Sequence, residues 1–185
     1  CFLYEKKMFS DEKLNASYTK LLNLDPTNFK ALTYFKVLYS ENQMWKKAIS
    51  TLESLYDFTK HPTDRFKFAL EIASTYVYQL DEPQKAIQIL NTKCVGSPIN
   101  SLTIHYDAYY RLRDWKGCLD VLQRSLDSAD RSINTAVVLY KMGELQEILG
   151  LNSKAERSYK ASSDQDSNLF EPLESLIEMY IHQED

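Results

Sequence analysis

Glycine is scarce in this chain, with four in 185 residues, and proline is hardly commoner at five. An all-β domain of this length would need many turns built on those two residues, so their scarcity argues against a sandwich or barrel. Cysteine is limited to Cys1, Cys94 and Cys118. An odd number at wide spacing carries neither a disulfide framework nor a zinc pattern. It points instead to a reducing, intracellular compartment, the cytoplasm being the expectation. No apolar run approaches the roughly 18 residues of a membrane span, and no signal peptide is visible. A basic stripe is missing too: the net charge is −4, with +2 over residues 1–93 and −6 over residues 94–185. That balance disfavours nucleic acid as a partner and predicts a surface graded in charge along the chain.

Signatures of chemistry are equally sparse. There is no glycine-rich phosphate loop, no Gly-x-Ser-x-Gly elbow, no His-x-x-x-His or Cys-x-x-Cys pair. The three histidines, His61, His105 and His182, lie far apart, and His105 falls where a core side chain is expected. It reads as a satisfied structural histidine rather than a general base. Glu174 and Glu178, four apart on one helix, read as a solvated face. No catalytic residue, metal site, cofactor or small-molecule substrate is therefore expected.

What the chain does have is 44% apolar residues, 13 tyrosines and 8 phenylalanines, all arranged by an internal repeat. The stretch Trp45-Lys46-Lys47-Ala48-Ile49-Ser50-Thr51-Leu52 pairs a small residue with a large apolar one four places on. The pairing recurs as Ala86 with Leu90, Cys118 with Leu122 and Ala155 with Tyr159, and more faintly as Leu14 with Tyr18. The anchors are 34, 38, 32 and 37 residues apart, which is the length of two helices of about four turns each with short connections.

A second pattern precedes each anchor at spacings of three, one and three. It reads Leu32, Phe35, Lys36, Tyr39 and then Ala69, Ile72, Ala73, Tyr76. The later copies are Leu102, His105, Tyr106, Tyr109, then Leu139, Met142, Gly143, Gln146, and last Leu173, Leu176, Ile177, Tyr180. Such spacing puts four side chains on one helical stripe, whereas strands would need alternation. Helix starts are expected at Asp25-Pro26-Thr27-Asn28, Pro62-Thr63-Asp64, Ser97-Pro98 and Glu171-Pro172, where capping oxygens and first-turn prolines cluster. Gly150 suits a left-handed helix stop. Trp45 and Trp115, each three residues before an anchor, read as plugs in the turn between paired helices rather than exposed binding hot spots.

The two patterns together resemble the tetratricopeptide repeat family. Tyr39, Tyr76, Tyr109 and Tyr180 fill that family's tyrosine slot, and Ala48, Ala86 and Ala155 its alanine slot. Leu52, Leu90, Leu122 and Tyr159 stand where it has phenylalanine. The glycine slot is glycine only at Gly143. The resemblance implies an all-α fold, a right-handed α-α superhelix of antiparallel pairs with about nine to ten helices. The expected division of a single array over 1–185 is a partial repeat at 1–26, repeats at 27–64, 65–98, 99–131 and 132–168, and the first helix of a further repeat at 169–185. Residues 1–9 read as the tail of a first helix and 170–182 as a first helix lacking its partner, so the chain reads as a fragment of a longer array.

In the family, first helices line a concave groove. Carried over copy by copy, the groove residues here are Lys30, Thr33, Lys67, Tyr78, Asp107, Tyr110, Tyr140, Glu144, Glu147 and Glu178. The resemblance thus implies a non-catalytic scaffold, part of a larger multiprotein assembly, that holds a peptide or partner subunit. The expected segment has its acidic end at Lys30 and Lys67 and its basic part at Glu144 to Glu178. Thr33, Val37 and Ser74 interrupt the ring of basic and amide residues with which the chaperone-binding subclass grips a C-terminal carboxylate, so that subclass is set aside. Two other classes compete: a substrate-positioning segment of a larger enzyme, and a self-associating array in which the open ends stack as a homo-oligomer.

Overall fold

A computed structural model describes residues 2–94, 100–128 and 133–182, with the side chains of residues 2–11 and 100 outside the description. Cys1 and the helix start expected at Ser97-Pro98 also lie outside the described residues. Among the described residues the regular structure is ten α-helices and no strand.

The chain divides into two compact units. The first holds α1 (Phe2–Leu24), α2 (Phe29–Glu41), α3 (Trp45–Phe58), α4 (Pro62–Tyr78) and α5 (Pro83–Lys93). The second holds α6 (Asn100–Arg111), α7 (Trp115–Asp127), α8 (Thr135–Ile148), α9 (Asn152–Gln165) and α10 (Glu171–Ile181). Within each unit every helix packs on the one that follows it. Helix starts follow the capping residues. Asn28 and Asn134 accept from the amides of Ala31 and Val137, and Asp114 accepts from that of Gly117. Pro62, Pro83 and Pro172 occupy first-turn positions, where no amide is needed.

The anchors do what their size suggests. Ala48, Ala86, Cys118 and Ala155 are at most 1% exposed, and Leu52, Leu90, Leu122 and Tyr159 are buried beside them. Each large side chain contributes on the order of 2 kcal/mol by leaving water. Burial also pushes the Cys118 thiol up to about 11, so it behaves as the small hydrophobe its slot demands. In the first unit Ile49, Leu52 and Ile72 form a core flanked by Phe68 and Tyr76. In the second, Cys118, Leu122, Met142 and Leu145 form one core, with Trp115 packed against it. Trp115 is therefore partly buried against that core. Ala155, Tyr159, Leu176 and Met179 form the next core.

Two expectations need correction. Leu14 is 42% exposed, so the faint first copy has no small anchor. Instead α1 meets α2 through Tyr18 stacked on Tyr34 at 4.3 Å and through the Tyr34 hydroxyl donating to Asn15 at 2.5 Å. Phe2–Leu24 is one uninterrupted helix rather than a helix tail followed by a second helix. Nothing in Phe9-Ser10-Asp11-Glu12-Lys13 breaks it, since Ser and Asp mid-helix cost only tenths of a kcal/mol where no glycine or proline supports a turn. At the other end, α10 buries Pro172, Leu176 and Met179, while Leu173, Ile177 and Tyr180 are 41%, 58% and 41% exposed. The corresponding residues of α8, including Gly143 and Gln146, lie against α9. Among the described residues no second helix pairs with α10.

The turns inside the pairs share one device. Gln43, Asp81, Arg113 and Gly150, each two residues before a second helix, have φ of 56°, 52°, 55° and 70°. In three of the turns the next amide returns to a carbonyl five residues back: Met44 to Tyr39, Asp114 to Tyr109 and Leu151 to Gln146, at 2.8 to 3.0 Å. The left-handed residue's own amide bonds Ser40, Tyr110 or Glu147. This double closure uses carbonyls that a helix end leaves free. Only glycine adopts that φ without a steric cost of about 1 kcal/mol. Arg113→Gly should therefore raise the midpoint of thermal unfolding, by up to about 1 kcal/mol in stability, and Gly150→Ala should lower it by a similar amount. A lower midpoint for Arg113→Gly would show that the turn is held by the arginine side chain instead.

The glycine slot has a matching explanation. A Cβ at Gly143 would come within 2.5 Å of two Tyr159 ring carbons, and that ring is 1% exposed. Gly143→Ala should cost about 1 kcal/mol net, overpacking outweighing the gain in helix propensity. In a Tyr159→Leu background, which restores the leucine of the other repeats, the same substitution should become neutral or stabilising. A double-mutant cycle by denaturant unfolding measures the difference, and equal costs in both backgrounds would refute the contact as the cause.

Candidate functional site

Two recesses of the second unit are built in the same way, and a third, of about 430 Å³, lies between α9 and α10 beside Leu173, Leu176, Ile177 and Tyr180. In each of the first two, consecutive first helices form the walls and the intervening second helix forms the floor. The first recess, about 240 Å³, lies between α6 and α8. Its floor is Val121, Leu122 and Ser125 of α7, all buried. Leu102 and Tyr106 of α6 face Val137 and Val138 of α8, and Thr103, Asp107 and Lys141 stand around them. The lining is mainly apolar. Lys141 Nζ lies 5.4 Å from the centre of the Tyr106 ring. Burial, and after it the neighbouring Cys118, pushes the Tyr106 phenol up to about 12.

The second recess, about 450 Å³, lies on the other side of α8. Tyr140, Glu144, Glu147 and Ile148 come from α8, Tyr159 from α9, and Ser175 and Glu178 from α10. Three carboxylates and no cation line it. Glu144, Glu147 and Glu178 are exposed, and Glu147 accepts a 2.9 Å hydrogen bond from the Tyr159 hydroxyl. Burial first, and then that bond to Glu147, raises the Tyr159 phenol above its ordinary value. Burial does the same for Tyr140. Both phenols therefore remain protonated donors at the wall and floor of an anionic hollow.

The structure thus gathers Tyr140, Glu144, Glu147 and Glu178 around one recess and puts Asp107 on another. Tyr110 lines neither; it is 52% exposed and packs edge-on against Trp115 at 5.4 Å. In the first unit, Lys30 and Thr33 are exposed on α2, and Lys67 and Tyr78 on α4. The Thr33 hydroxyl donates to the Phe29 carbonyl at 2.8 Å, and the Lys67 ammonium lies 3.8 Å from Asp64. Nearby, Phe29 and Phe68 hold α2 to α4 at 6.2 Å, and Lys36 reaches Glu71 at 2.9 Å. Val137, Val138 and Lys141 were not among the expected site residues. Val137 and Lys141 are one turn apart on the side of α8 that faces α6, a periodicity visible in the chain once the packing direction is known.

No group of His, Cys, Asp and Glu among the described residues is arranged to hold a metal ion. No described helix is long and apolar enough to cross a membrane.

No family model matches the chain, and no curated protein matches it. Among solved structures the chain is similar to YrrB, described as a TPR protein with an unusual peptide-binding site. The TM-score is 0.58 at 16% identity, over 92% of this chain and 85% of that one. At that identity the likeness carries the fold alone: the all-α, helical-repeat architecture of tetratricopeptide proteins.

His105 takes the structural place expected of it. It is 3% exposed, its Nδ1 is 3.2 Å from the Ser101 carbonyl, and its ring stacks on Tyr109 at 6.2 Å. Burial first, and then the Arg124 cation, lowers its affinity for a proton, against smaller opposing effects of Ser101 and Asp120. The fold prefers the neutral ring, so below about pH 6.5 the unfolded chain binds a proton that the folded chain does not. Stability should fall as the pH drops from about 7 to about 5, and His105→Gln should flatten that part of the profile. An unchanged slope in urea unfolding at the two ends would assign the dependence to other groups.

Proposed function

We propose that the chain is a non-catalytic interaction module that holds an extended segment of a partner protein against its first helices. The observation that carries this reading is the pair of recesses of the second unit, walled by first helices and floored by second helices. A surface that only had to be soluble would have no reason to keep a mainly apolar hollow of about 240 Å³ beside an acidic one. The peptide-binding site named for YrrB supports the same reading. Tyr140, Glu144, Glu147 and Glu178 serve as the contact residues around the acidic recess, with Asp107 beside the apolar one and Tyr110 on the same helix. In the first unit, Lys30, Thr33, Lys67 and Tyr78 form the corresponding face. Its two lysines favour the acidic part of a partner, and the second unit favours the basic part.

The test is capture of partner proteins by the full chain and by variants, with helix content checked by circular dichroism. Tyr140→Ala combined with Glu178→Lys should weaken the affinity of a captured partner at least about tenfold, as loss of an aromatic anchor and a matched charge does. Lys67→Glu should weaken the same partner separately. Substitutions on the exposed side of second helices, such as Lys46→Glu or Lys154→Glu, should leave it unchanged. If those second-helix variants lose the partner and the first-helix variants keep it, the convex side is the binding surface and the reading is wrong.

A further inference from the structure

We infer that the segment held by the second unit carries one bulky apolar side chain and, about three residues from it, a lysine or arginine. This rests on the reading above and specifies its ligand. The two recesses share α8 as their dividing wall: Val137, Val138 and Lys141 face one, and Tyr140, Glu144 and Glu147 face the other. Their separation is therefore set by the width of one helix with its side chains, about 10 Å. An extended chain advances about 3.3 Å per residue. Side chains that enter neighbouring recesses across α8 are thus about three residues apart.

The chemistry of each recess decides which side chain enters it. The first has buried Val121 and Leu122 as its floor and valines on one wall, so it gains most by excluding water around an aliphatic or aromatic group. The second presents three carboxylates, which suit an ammonium or guanidinium group. Lys141 fixes the order. It sits at the apolar recess over the Tyr106 ring and repels a cation there. Asp107 partly offsets it, but the concentration of negative charge lies across α8. The ligand's cation is thereby placed on the Glu144, Glu147 and Glu178 side, and its apolar anchor on the other. The carboxylates are exposed, so the attraction is screened by salt while the apolar contact is not.

The experiment is selection of unstructured peptides from a random display library against the full chain, followed by affinity measurement on purified peptides at low and high salt. Enriched peptides should share an apolar residue and a Lys or Arg about three positions apart. Raising the salt should weaken them, and exchanging the basic residue for Glu should cost at least about tenfold. Val137→Trp, which fills the apolar recess, should abolish the requirement for the apolar residue. Glu144→Lys combined with Glu178→Lys should convert the preference at the basic position to Asp or Glu, a swap that a merely structural role for these glutamates would not produce. Enriched peptides that lack the spacing but are still lost on Tyr140→Ala would overturn this inference and leave the first-helix face as the binding surface. Peptides indifferent to every first-helix substitution would overturn both, and a selection that enriches nothing would overturn the inference as well.

Discussion

The small side chain that opens each second helix is the constraint from which the rest of this structure follows. Ala48, Ala86, Cys118 and Ala155 are almost completely excluded from solvent, and each allows a second helix to lie close against the first helix of its pair. Close approach places the large residue four positions on, Leu52, Leu90, Leu122 or Tyr159, in the seam. A seam filled in this way occupies one side of each helix. The remaining sides of the first helices are left to form walls, and the second helices become floors. The recesses of the second unit are thus the space that the packing rule leaves over.

Where the filling residue is larger, the chain compensates on the facing helix. Tyr159 replaces leucine in its repeat, and there the first helix has Gly143, whose missing Cβ makes room for the ring. One repeat earlier the glycine lies on the other helix. The first helix contributes the aromatic Tyr109, and the glycine is Gly117 on the second helix, where an added Cβ would meet that ring at 2.5 Å. A close-packed interior ties the size of a residue to that of the one it faces. Gly143 meets the family's glycine slot where the facing residue is Tyr159.

How much was legible in the sequence follows from the same physics. The anchors and stripes identify most of the helices because burial of apolar side chains at helical spacing is local and periodic. The pattern continues into α10, which no second helix covers among the described residues. Leu173, Ile177 and Tyr180 carry the core spacing, yet they are exposed because α10 is unpaired among the described residues. Leu14 misleads because the anchor slot tolerates only small side chains, so the α1–α2 contact is made by Tyr18, Tyr34 and Asn15 instead. The left-handed turns were visible only at Gly150. Gln43 and Arg113 carry no turn signature, and their φ is imposed by the two helices they join. The candidate site was legible as a set of positions on helix faces. Its division into an apolar and an acidic recess was not, because Val137 and Lys141 meet α6 across a gap that no periodicity within α8 reveals.

On the proposed reading, specificity would be set by the position of the recesses on either side of α8. A site formed by loops can adjust the distance between its subsites as the loops move, and its selectivity suffers accordingly. Here the distance is the width of an α-helix, which is fixed by backbone hydrogen bonding and cannot be tuned by a change of side chain. Sequence variation on α8 can alter what each recess prefers, as the exchange of a valine or a glutamate would, but not how far apart the two preferences lie. On the proposed reading the repeat separates two tasks: its buried residues set a ruler, and its exposed ones, Lys141, Glu144 and Glu147 among them, would decide what is measured against it.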